Sequence, residues 1–232
     1  METPSQQNFS AILASSIHDT KNSVGMVLLT LEEMLGDVNS DGLHCSSVEE
    51  LAQLQYQTKR VSNNLMQLLA LYRIENHSYS LQPQETYLTD FLDDCYALNA
   101  PLIESRGFML ELQCDSNLLG YFDTSLVSGV INNAITNAIR YTRSKLLLSC
   151  YETDGCIVIE LNDDGEGFPD EMLLDKEEGS QSGINFIGGN TGLGIYFARI
   201  VAAMHRYNGR QGSLTLHNGG PLGGGLITLT LP

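Results

Sequence analysis

The sequence predicts an α+β protein in two parts, an antiparallel hairpin of two long helices followed by an α/β sandwich. Two stripes of apolar residues at helical spacing, separated by the breaker-rich stretch 36–42, predict the hairpin. From Glu85 onward, short strand-like runs mix with helical runs without a regular βαβ repeat. That mixture is typical of an α+β sandwich.

The two hairpin helices run from Phe9 to about Leu35 and from Val48 to Tyr72. At a rise of 1.5 Å per residue, each would be about 35–45 Å long. Because two helices cannot enclose a core by themselves, we expect the hairpin to pair with a second copy into a four-helix bundle, so that the chain is a homodimer.

Each element of the second part has its own signal in the sequence. The stretch "ETYLTDFLDDCYALNAPLIESRG" predicts a strand and then a helix, and "FMLELQC" alternates like a strand. Asp123 is a favourable N-cap for the apolar-striped helix "TSLVSGVINNAITNAIRYT". A hairpin with an Asp-Gly turn, a helix opened by glycines and a last hairpin with a Gly-rich turn complete the chain. The predicted domains are therefore a hairpin at 8–76, a linker at 77–83 and the sandwich at 84–232.

The composition excludes several classes of partner. With 12 basic and 28 acidic residues, the formal net charge of −16 argues against binding nucleic acid or anionic membranes. No signal pattern and no run of eighteen apolar residues is present, so we expect no membrane insertion and a cytoplasmic location. The five cysteines are scattered and no pair has metal-ligand spacing, which predicts reduced, mostly buried thiols.

Three short stretches of the second part carry candidate binding residues. In "NNAITNAIRYT", Asn133 and Asn137 project from one helical face beside Arg140 and Tyr141, a set that suits Mg2+ with attached phosphates. A solvated Asn-rich face is the alternative for this stretch taken alone. In "VIELNDDGEGFP", a strand ends at Asp163, whose carboxylate could accept a hydrogen bond from an exocyclic amine such as that of adenine.

Glycines complete both of the remaining stretches. Gly165 and Gly167 permit a sharp turn and close approach of a ligand after Asp163. In "GGNTGLGIYFARIVAAMH", glycines precede and open a helix, whose free backbone N–H groups would form an anion site. The candidate residues in this third stretch are Gly189, Gly192, Leu193 and Gly194.

In this order, the three stretches resemble the asparagine box and the two glycine boxes of the ATP-binding domain of the GHKL (Bergerat) type. That domain is shared by histidine kinases, Hsp90, type II topoisomerases and MutL. "NAIRYT" and the terminal "LTLP" are most similar to the catalytic core of the sensor histidine kinases of two-component systems. The resemblance covers nearly the whole chain, with a dimerisation and histidine-phosphotransfer hairpin before the ATP domain.

The resemblance implies a role for each matched residue. Asn137 would bind Mg2+ with support from Asn133, and Arg140 and Tyr141 would contact phosphates or the lid. Asp163 would bind the adenine amino group. The glycines of the first box would let the lid hinge, and those of the second would hold phosphates. Residues 170–190 look like the ATP lid.

The stretch "SSIHDTKNSVGMVLL" places His18 on the first helix, where the family carries its phosphate-accepting histidine. Asp19 could accept a hydrogen bond from the His18 ring and fix its tautomer. Asn22, one helical turn further on, would position the water that dephosphorylates the receiver domain. The family usually has glutamate where Asp19 stands and proline where Ser23 stands, so the usual kink is not expected here.

The implied function is that of an ATP-dependent histidine kinase that transfers a phosphoryl group from His18 to an aspartate of a response regulator receiver domain. A phosphorelay phosphotransferase without autokinase activity, a Ser/Thr kinase and an ATP-binding dimeric scaffold are the alternatives. No sensor module is evident in the sequence, so an input signal would come from a separate sensor protein unless the chain is an excised core. The family usually has a threonine near the adenine where this chain has Gly225.

Overall fold

The computed structural model describes residues 20–27, 29, 48–173 and 192–232. Residues 20–27 form a helical segment that continues through Ser23 without interruption. The described helices after it are α1 (Val48–Glu75), α2 (Leu88–Ser105), α3 (Thr124–Tyr141), α4 (Asp170–Leu173) and α5 (Leu193–Met204). The strands are β1 (Gln84–Tyr87), β2 (Met109–Cys114), β3 (Leu119–Phe122), β4 (Lys145–Thr153), β5 (Cys156–Asp163), β6 (Arg206–Tyr207), β7 (Arg210–Gln211), β8 (Ser213–Asn218) and β9 (Gly225–Leu231).

A five-stranded mixed sheet with the order β2-β4-β5-β9-β8 forms the centre of the second part. β2 pairs with β4 in parallel, whereas the other neighbours are antiparallel. The β4–β5 hairpin turns at Asp154 and Gly155, which have φ angles of 52° and 71°. Two consecutive positive φ angles are typical of the type I′ turn that an Asp-Gly pair favours, so this predicted hairpin is confirmed.

One hydrophobic core joins the sheet to α2, α3 and α5. Ile135 of α3, Leu148 of β4, Ile159 of β5 and Val201 of α5 are all fully buried in it. The buried residues Leu146, Leu148 and Cys150 occupy every second position of β4, as expected for a strand with one face toward a core. The predicted α+β architecture is confirmed, with helices packed against the sheet.

Asp123 anchors the start of α3, as the sequence predicts. Its Oδ1 accepts a hydrogen bond from the Leu126 N–H at 3.1 Å, while its Oδ2 accepts from the Tyr79 hydroxyl at 2.9 Å. The Asp123 N–H in turn donates to Nε2 of the buried His205 at 3.0 Å. Burial and the hydrogen bond to Asp123 raise the pKa of Tyr79 to about 12. The cap therefore ties α3 both to the segment after α1 and to the end of α5.

Helix α1 packs against the second part of the chain. The Asn63 amide donates to the Thr136 hydroxyl of α3 at 3.1 Å, and Lys59 Nζ donates to the carbonyl of Leu98 in α2 at 3.2 Å. These bonds hold α1 along the same two helices that cover the sheet. The boundaries proposed for the hairpin, linker and sandwich stay predictions, although α1 ends at Glu75 and β1 begins at Gln84.

The structure corrects the expectation of unpaired thiols. Cys114 and Cys150 form a disulfide, with their Cα atoms 5.0 Å apart. They are direct register partners in the parallel pair β2–β4, which the separation of 36 residues in the sequence did not reveal. Cys95 is a buried free thiol, and Cys156 is a partly buried one. Among the described helices, none is long and apolar enough to cross a membrane.

Candidate functional site

The carboxylate of Asp163 lies at the end of β5, where the backbone closes tightly around it. Its Oδ1 accepts hydrogen bonds from the N–H groups of Gly165 at 2.7 Å and Gly225 at 3.2 Å. The Asp163 carbonyl accepts a third bond from the Gly224 N–H at 3.0 Å. Because Oδ1 takes both donors to the carboxylate, Oδ2 is the oxygen available for a ligand amine.

The turn after Asp163 touches the end of the asparagine-bearing helix. A methyl group at Gly165 would overlap the carbonyl oxygen of Tyr141, the last residue of α3. At Gly167 the φ angle is +82°, and a methyl group there would lie 2.5 Å from Oδ1 of Asn218. A larger residue at either position would therefore collide with a neighbouring atom. At Gly167 the positive φ angle is a second reason for glycine.

The start of α5 approaches the asparagine face of α3 even more closely. A methyl group at Gly194 would overlap the amide of Asn133 and lie 2.7 Å from its Cγ. Gly192 is the N-cap of α5 in the left-handed conformation, with φ of 64°. Leu193 is buried, and it fixes the first turn against the core. The two glycine-bearing segments therefore both contact α3, Gly165 at Tyr141 and Gly194 at Asn133.

The other predicted residues of α3 lie at its C-terminal end. Asn137 is half-buried, one turn after Asn133. The Arg140 guanidinium carbon lies 5.4 Å from the ring centroid of Tyr141, close enough for a cation–π contact. Asn137 can supply one hard oxygen to Mg2+, which commonly takes one or two protein ligands and completes its shell with phosphates and water. Within the described ranges, no group of three or more His, Cys, Asp or Glu side chains could hold a metal ion.

Asp164 anchors the site, a role that the sequence did not reveal. Its Oδ1 accepts bonds from the Thr142 hydroxyl at 2.7 Å and the Arg143 N–H at 2.8 Å, and its Oδ2 accepts from the Ser144 hydroxyl at 2.8 Å. Burial acts to raise the pKa of Asp164, but the hydrogen bonds from Thr142, Ser144 and Lys145 outweigh it and hold the pKa well below the usual value. The carboxylate therefore ties the end of α3 to the end of β5.

Replacing Asp164 by asparagine is expected to destabilise the fold in a pH-dependent way. A depressed folded-state pKa stabilises the protein above the unfolded-state pKa of about 4, and this stabilisation is lost as the pH falls toward the folded-state value. Denaturant unfolding between pH 3 and pH 7 should show the wild type losing its advantage over the variant below about pH 4. A stability difference that stays constant across this range would contradict the assignment.

The β8–β9 turn also belongs to the site, although its sequence indicates only a Gly-rich turn. A methyl group at Gly224 would lie 2.5 Å from the Asp163 carbonyl oxygen and 2.6 Å from the Gly165 nitrogen. The buried Asn162 accepts a hydrogen bond from the Leu222 N–H at 2.8 Å. The Gly-rich run 219–225 predicts a turn from the sequence. Only the structure shows that this turn closes against the end of β5.

Gly225 stands where the family usually carries a threonine, and the structure shows what occupies the space. A methyl group at Gly225 would lie 2.9 Å from the Phe168 ring and 2.8 Å from Asp163 Oδ2. Asn218 holds the Phe168 backbone through two hydrogen bonds, at 2.7 Å to its N–H and 2.8 Å to its carbonyl. The ring of Phe168 therefore lies beside the Asp163 carboxylate. From the sequence we expected only that a polar contact to adenine would be missing at Gly225.

Several predicted residues lie outside the described residues, namely His18, Asp19, Gly189 and lid residues 174–190. Asn22 lies in the helical segment 20–27 and is exposed. The lid stretch begins with the short helix α4. Of the predicted set, the structure thus brings together Asn133, Asn137, Arg140, Tyr141, Asp163, Gly165, Gly167, Gly192, Leu193 and Gly194.

Known proteins share sequence similarity with the part of the chain that carries this site. Residues 122–232 match the model of the histidine kinase-, DNA gyrase B- and HSP90-like ATPase family. The matched residues contain α3, β5 and α5, the three elements that carry the asparagine face, Asp163 and the second pair of glycines.

Similarity to individual proteins extends beyond residues 122–232. The chain is 26% identical over 237 residues to the sensor histidine kinase RppB of Synechocystis, with 98% of this chain and 49% of that protein covered. It is 25% identical over 192 residues to the sensor histidine kinase GraS of Staphylococcus haemolyticus, with 82% and 53% covered. The chain spans about half the length of these relatives. The resemblance to a sensor histidine kinase catalytic core is confirmed.

Solved structures support the same fold. The histidine kinase AdeS of Acinetobacter baumannii superposes with a TM-score of 0.62 at 19% identity, covering 92% of this chain and 96% of that one. The catalytic domain of the histidine kinase ThkA superposes with a TM-score of 0.54 at 16% identity, covering 65% and 95%. The predicted combination of a helical part with a GHKL-type ATP-binding domain therefore has known structural counterparts.

Proposed function

We propose that the chain is an ATP-dependent protein histidine kinase that phosphorylates itself on His18 and passes the phosphoryl group to an aspartate of a response regulator receiver domain. The convergence of α3 with both glycine-bearing segments carries this proposal. Gly194 touches Asn133, and Gly165 touches the end of the same helix. Such close backbone approach leaves no room for larger side chains and suits a nucleotide with its phosphates.

Within this site, each side chain acts on one part of the nucleotide. Asp163 Oδ2 accepts a hydrogen bond from the adenine amino group, while the ring of Phe168 forms an apolar wall beside it. Asn137, supported by Asn133, would hold Mg2+, which when bound would neutralise charge on the phosphates. The backbone N–H groups at the start of α5, from Gly192 to Gly194, donate to phosphate oxygens.

The chemical step takes place at His18. A neutral ring nitrogen forms a bond to the γ-phosphorus as the bond from phosphorus to the oxygen of the leaving diphosphate breaks. Asp19 accepts a hydrogen bond from the other ring nitrogen and stabilises the positive charge that develops on the ring. Asn22 supports a separate phosphatase reaction by positioning a water that attacks the phosphorus of the receiver's aspartyl phosphate, which releases inorganic phosphate and the free aspartate.

Exposed apolar residues on the helical part support a homodimer. On α1, Leu65, Leu69 and Tyr72 recur at helical spacing, and they are 53%, 52% and 59% exposed. On the first helical segment, Val24 is also exposed. A second copy that packs its own hairpin against this stripe would bury it in a four-helix bundle. A cytoplasmic location, a separate sensor protein and a response regulator partner stay predictions.

Transfer of label from ATP tests the proposal. After incubation with ATP labelled at its γ-phosphate, the wild type should carry label that acid removes and base does not, as expected for phosphohistidine. His18→Gln should remove this label almost completely while leaving nucleotide binding unchanged. The matched variant His217→Gln, at an exposed position of β8, should keep the label.

Four results would contradict the proposal or redirect it. Acid-stable label would indicate a Ser/Thr kinase. Nucleotide binding without label in the wild type would favour an ATP-binding scaffold, as would full function of His18→Gln. A wild type that binds no ATP analogue in calorimetry but accepts a phosphoryl group from a partner would be a phosphorelay phosphotransferase.

A further inference from the structure

The disulfide between Cys114 and Cys150 lies at one edge of the central sheet. Strand β2 is the first strand in the order β2-β4-β5-β9-β8, so within the described sheet it pairs with β4 alone. Cys114 is the last residue of β2 and the register partner of Cys150 in β4. The bond therefore fastens the end of an edge strand to the interior of the sheet.

The two cysteines of this bond differ in exposure. Cys150 is 4% exposed and lies on the core face of β4, together with Leu146 and Leu148. Cys114 is only partly buried, and the exposed residues 115–117 follow it. A small thiol can therefore reach the Sγ atom of Cys114, which is the sulfur that thiol–disulfide exchange would attack first.

The surroundings also accommodate the two cysteines in their reduced form. The Cys114 Sγ lies 3.5 Å from the carbonyl oxygen of Asp115, to which a thiol at this position can donate a hydrogen bond. The same carbonyl accepts hydrogen bonds from the Leu118 N–H at 3.1 Å and from the Thr89 hydroxyl at 3.2 Å. These bonds hold the turn after β2 independently of the disulfide. A reduced Cys150 would act as a small apolar side chain in the core.

The disulfide closes a loop that carries a large part of the candidate functional site. Its two cysteines are 36 residues apart in the sequence. The loop contains the whole of α3, with Asn133 and Asn137, and it contains residues 142–144, which donate hydrogen bonds to Asp164. Because a disulfide limits the conformations that the unfolded loop can adopt, its formation stabilises the folded arrangement of all these residues.

We propose that Cys114 and Cys150 form a redox modification site, a dithiol that a small thiol–disulfide couple such as glutathione converts reversibly into the disulfide. In reduction, a glutathione thiolate attacks the Cys114 Sγ, the S–S bond breaks, and its electron pair passes to the Cys150 Sγ, which takes up a proton. A second glutathione thiolate attacks the glutathione sulfur of the mixed disulfide and releases Cys114, which is also protonated. Two glutathione molecules are thereby oxidised to one glutathione disulfide, and oxidation of the protein is the reverse.

The free thiols of Cys95 and Cys156 are internal references for this site. Cys95 is 1% exposed, and burial raises the pKa of its thiol to about 11, so little reactive thiolate forms there. Cys156 is partly buried in the first residue of β5. Oxidation of a single thiol by glutathione disulfide adds one glutathione to the chain, whereas closure of the disulfide only removes two hydrogen atoms. The mass of the protein therefore distinguishes the two reactions.

The test follows thiol content and stability in the same samples. The wild type, the double variant Cys114→Ser/Cys150→Ala and the matched control Cys156→Ser are equilibrated in glutathione buffers that range from fully reduced to fully oxidised. Alkylation followed by peptide mass spectrometry identifies the free thiols at each ratio. Thermal unfolding gives the Tm in each buffer, and hydrogen exchange gives the protection of the backbone amides of α3.

We expect the wild type and Cys156→Ser to lose the thiols of Cys114 and Cys150 together as the buffer becomes more oxidising. Over the same range, their Tm should rise by about 5–15 °C, the increase expected for a closed loop of this length. Exchange of the best-protected amides of α3 should slow by at least about tenfold in the oxidised form. The double variant should keep one Tm at all ratios, close to that of the reduced wild type.

Three outcomes would overturn the proposal. A pair that stays oxidised at every ratio is a structural cross-link that glutathione does not reduce, and a pair that stays reduced at every ratio is not a redox site. A Tm that does not change as the disulfide forms would show that the bond does not restrain the loop. Because the wild type is measured in both forms, the result holds even if the double variant does not fold. None of the measurements uses a nucleotide, so they test the redox site independently of the proposed function.

Discussion

Asp163→Asn is expected to weaken nucleotide binding about 100-fold while leaving the fold intact. The asparagine Oδ1 can still accept the hydrogen bonds that Gly165 and Gly225 now give to the carboxylate at 2.7 Å and 3.2 Å. The amide nitrogen, however, would replace Oδ2 and point a donor at the donating amine of adenine. An unmade hydrogen bond to a charged group costs about 1.5–3 kcal/mol, and 2.7 kcal/mol corresponds to about a factor of 100.

Calorimetric titration with ADP and Mg2+ measures this effect, and circular dichroism checks that the variant is folded. The matched control is Asp154→Asn, which makes the same change in the turn at the other end of β5. Asparagine tolerates the φ angle of 52° found there, so the control should bind ADP as the wild type does. If Asp163→Asn bound ADP with wild-type affinity, Asp163 would not be the residue that recognises adenine.

Gly165→Ala is expected to lower both stability and nucleotide affinity. Its methyl group would overlap the backbone carbonyl of Tyr141 and lie 2.8 Å from Asp163 Oδ1. Because the obstructing atom belongs to the backbone, no side-chain rotation relieves the overlap, and the turn must move away from the end of α3. Overpacking of this kind typically costs about 1–3 kcal/mol, and we expect at least about a tenfold loss of affinity as the two halves of the site separate.

Urea unfolding and ADP titration together measure the two effects of Gly165→Ala. Gly25→Ala is the control, since a methyl group at that helical position meets no atom of the described residues within 4 Å. It should be neutral or stabilising by up to about 1 kcal/mol, because alanine favours the helix over glycine. Wild-type stability together with wild-type affinity in Gly165→Ala would show that the turn and α3 are less closely packed than the structure indicates.

Much of the fold could be predicted because its signals are local. Asp123 is recognisable as an N-cap because capping needs only a short polar side chain next to an apolar-striped helix, and the structure shows its bond to the Leu126 N–H. The β4–β5 hairpin was equally clear from its Asp-Gly turn. The strand β3 was missed, since four residues with one glycine give a weak pattern, and its pairing with β1 supplies its stability.

The candidate site likewise combines residues that local sequence patterns predict with residues that only long-range contacts reveal. Asn133, Asn137, Asp163 and the glycines around them could be proposed from spacing, since each stretch carries a distinct chemical pattern. Asp164 could not be, because its importance lies in the hydrogen bonds that it accepts from residues 142–144, about twenty positions earlier in the sequence. The Phe168 ring beside Gly225 was likewise invisible, since Asn218 of another strand holds it in place.

By itself, the sequence determined which segments are helices and strands and which residues bear the chemistry of a nucleotide site. These properties depend on side-chain periodicity and on caps and turns that span a few neighbouring residues. Only the tertiary structure decided that Cys114 meets Cys150 and that Gly224 and Gly225 close over Asp163. Such contacts depend on strand register and helix packing between distant segments, which no short stretch of sequence contains.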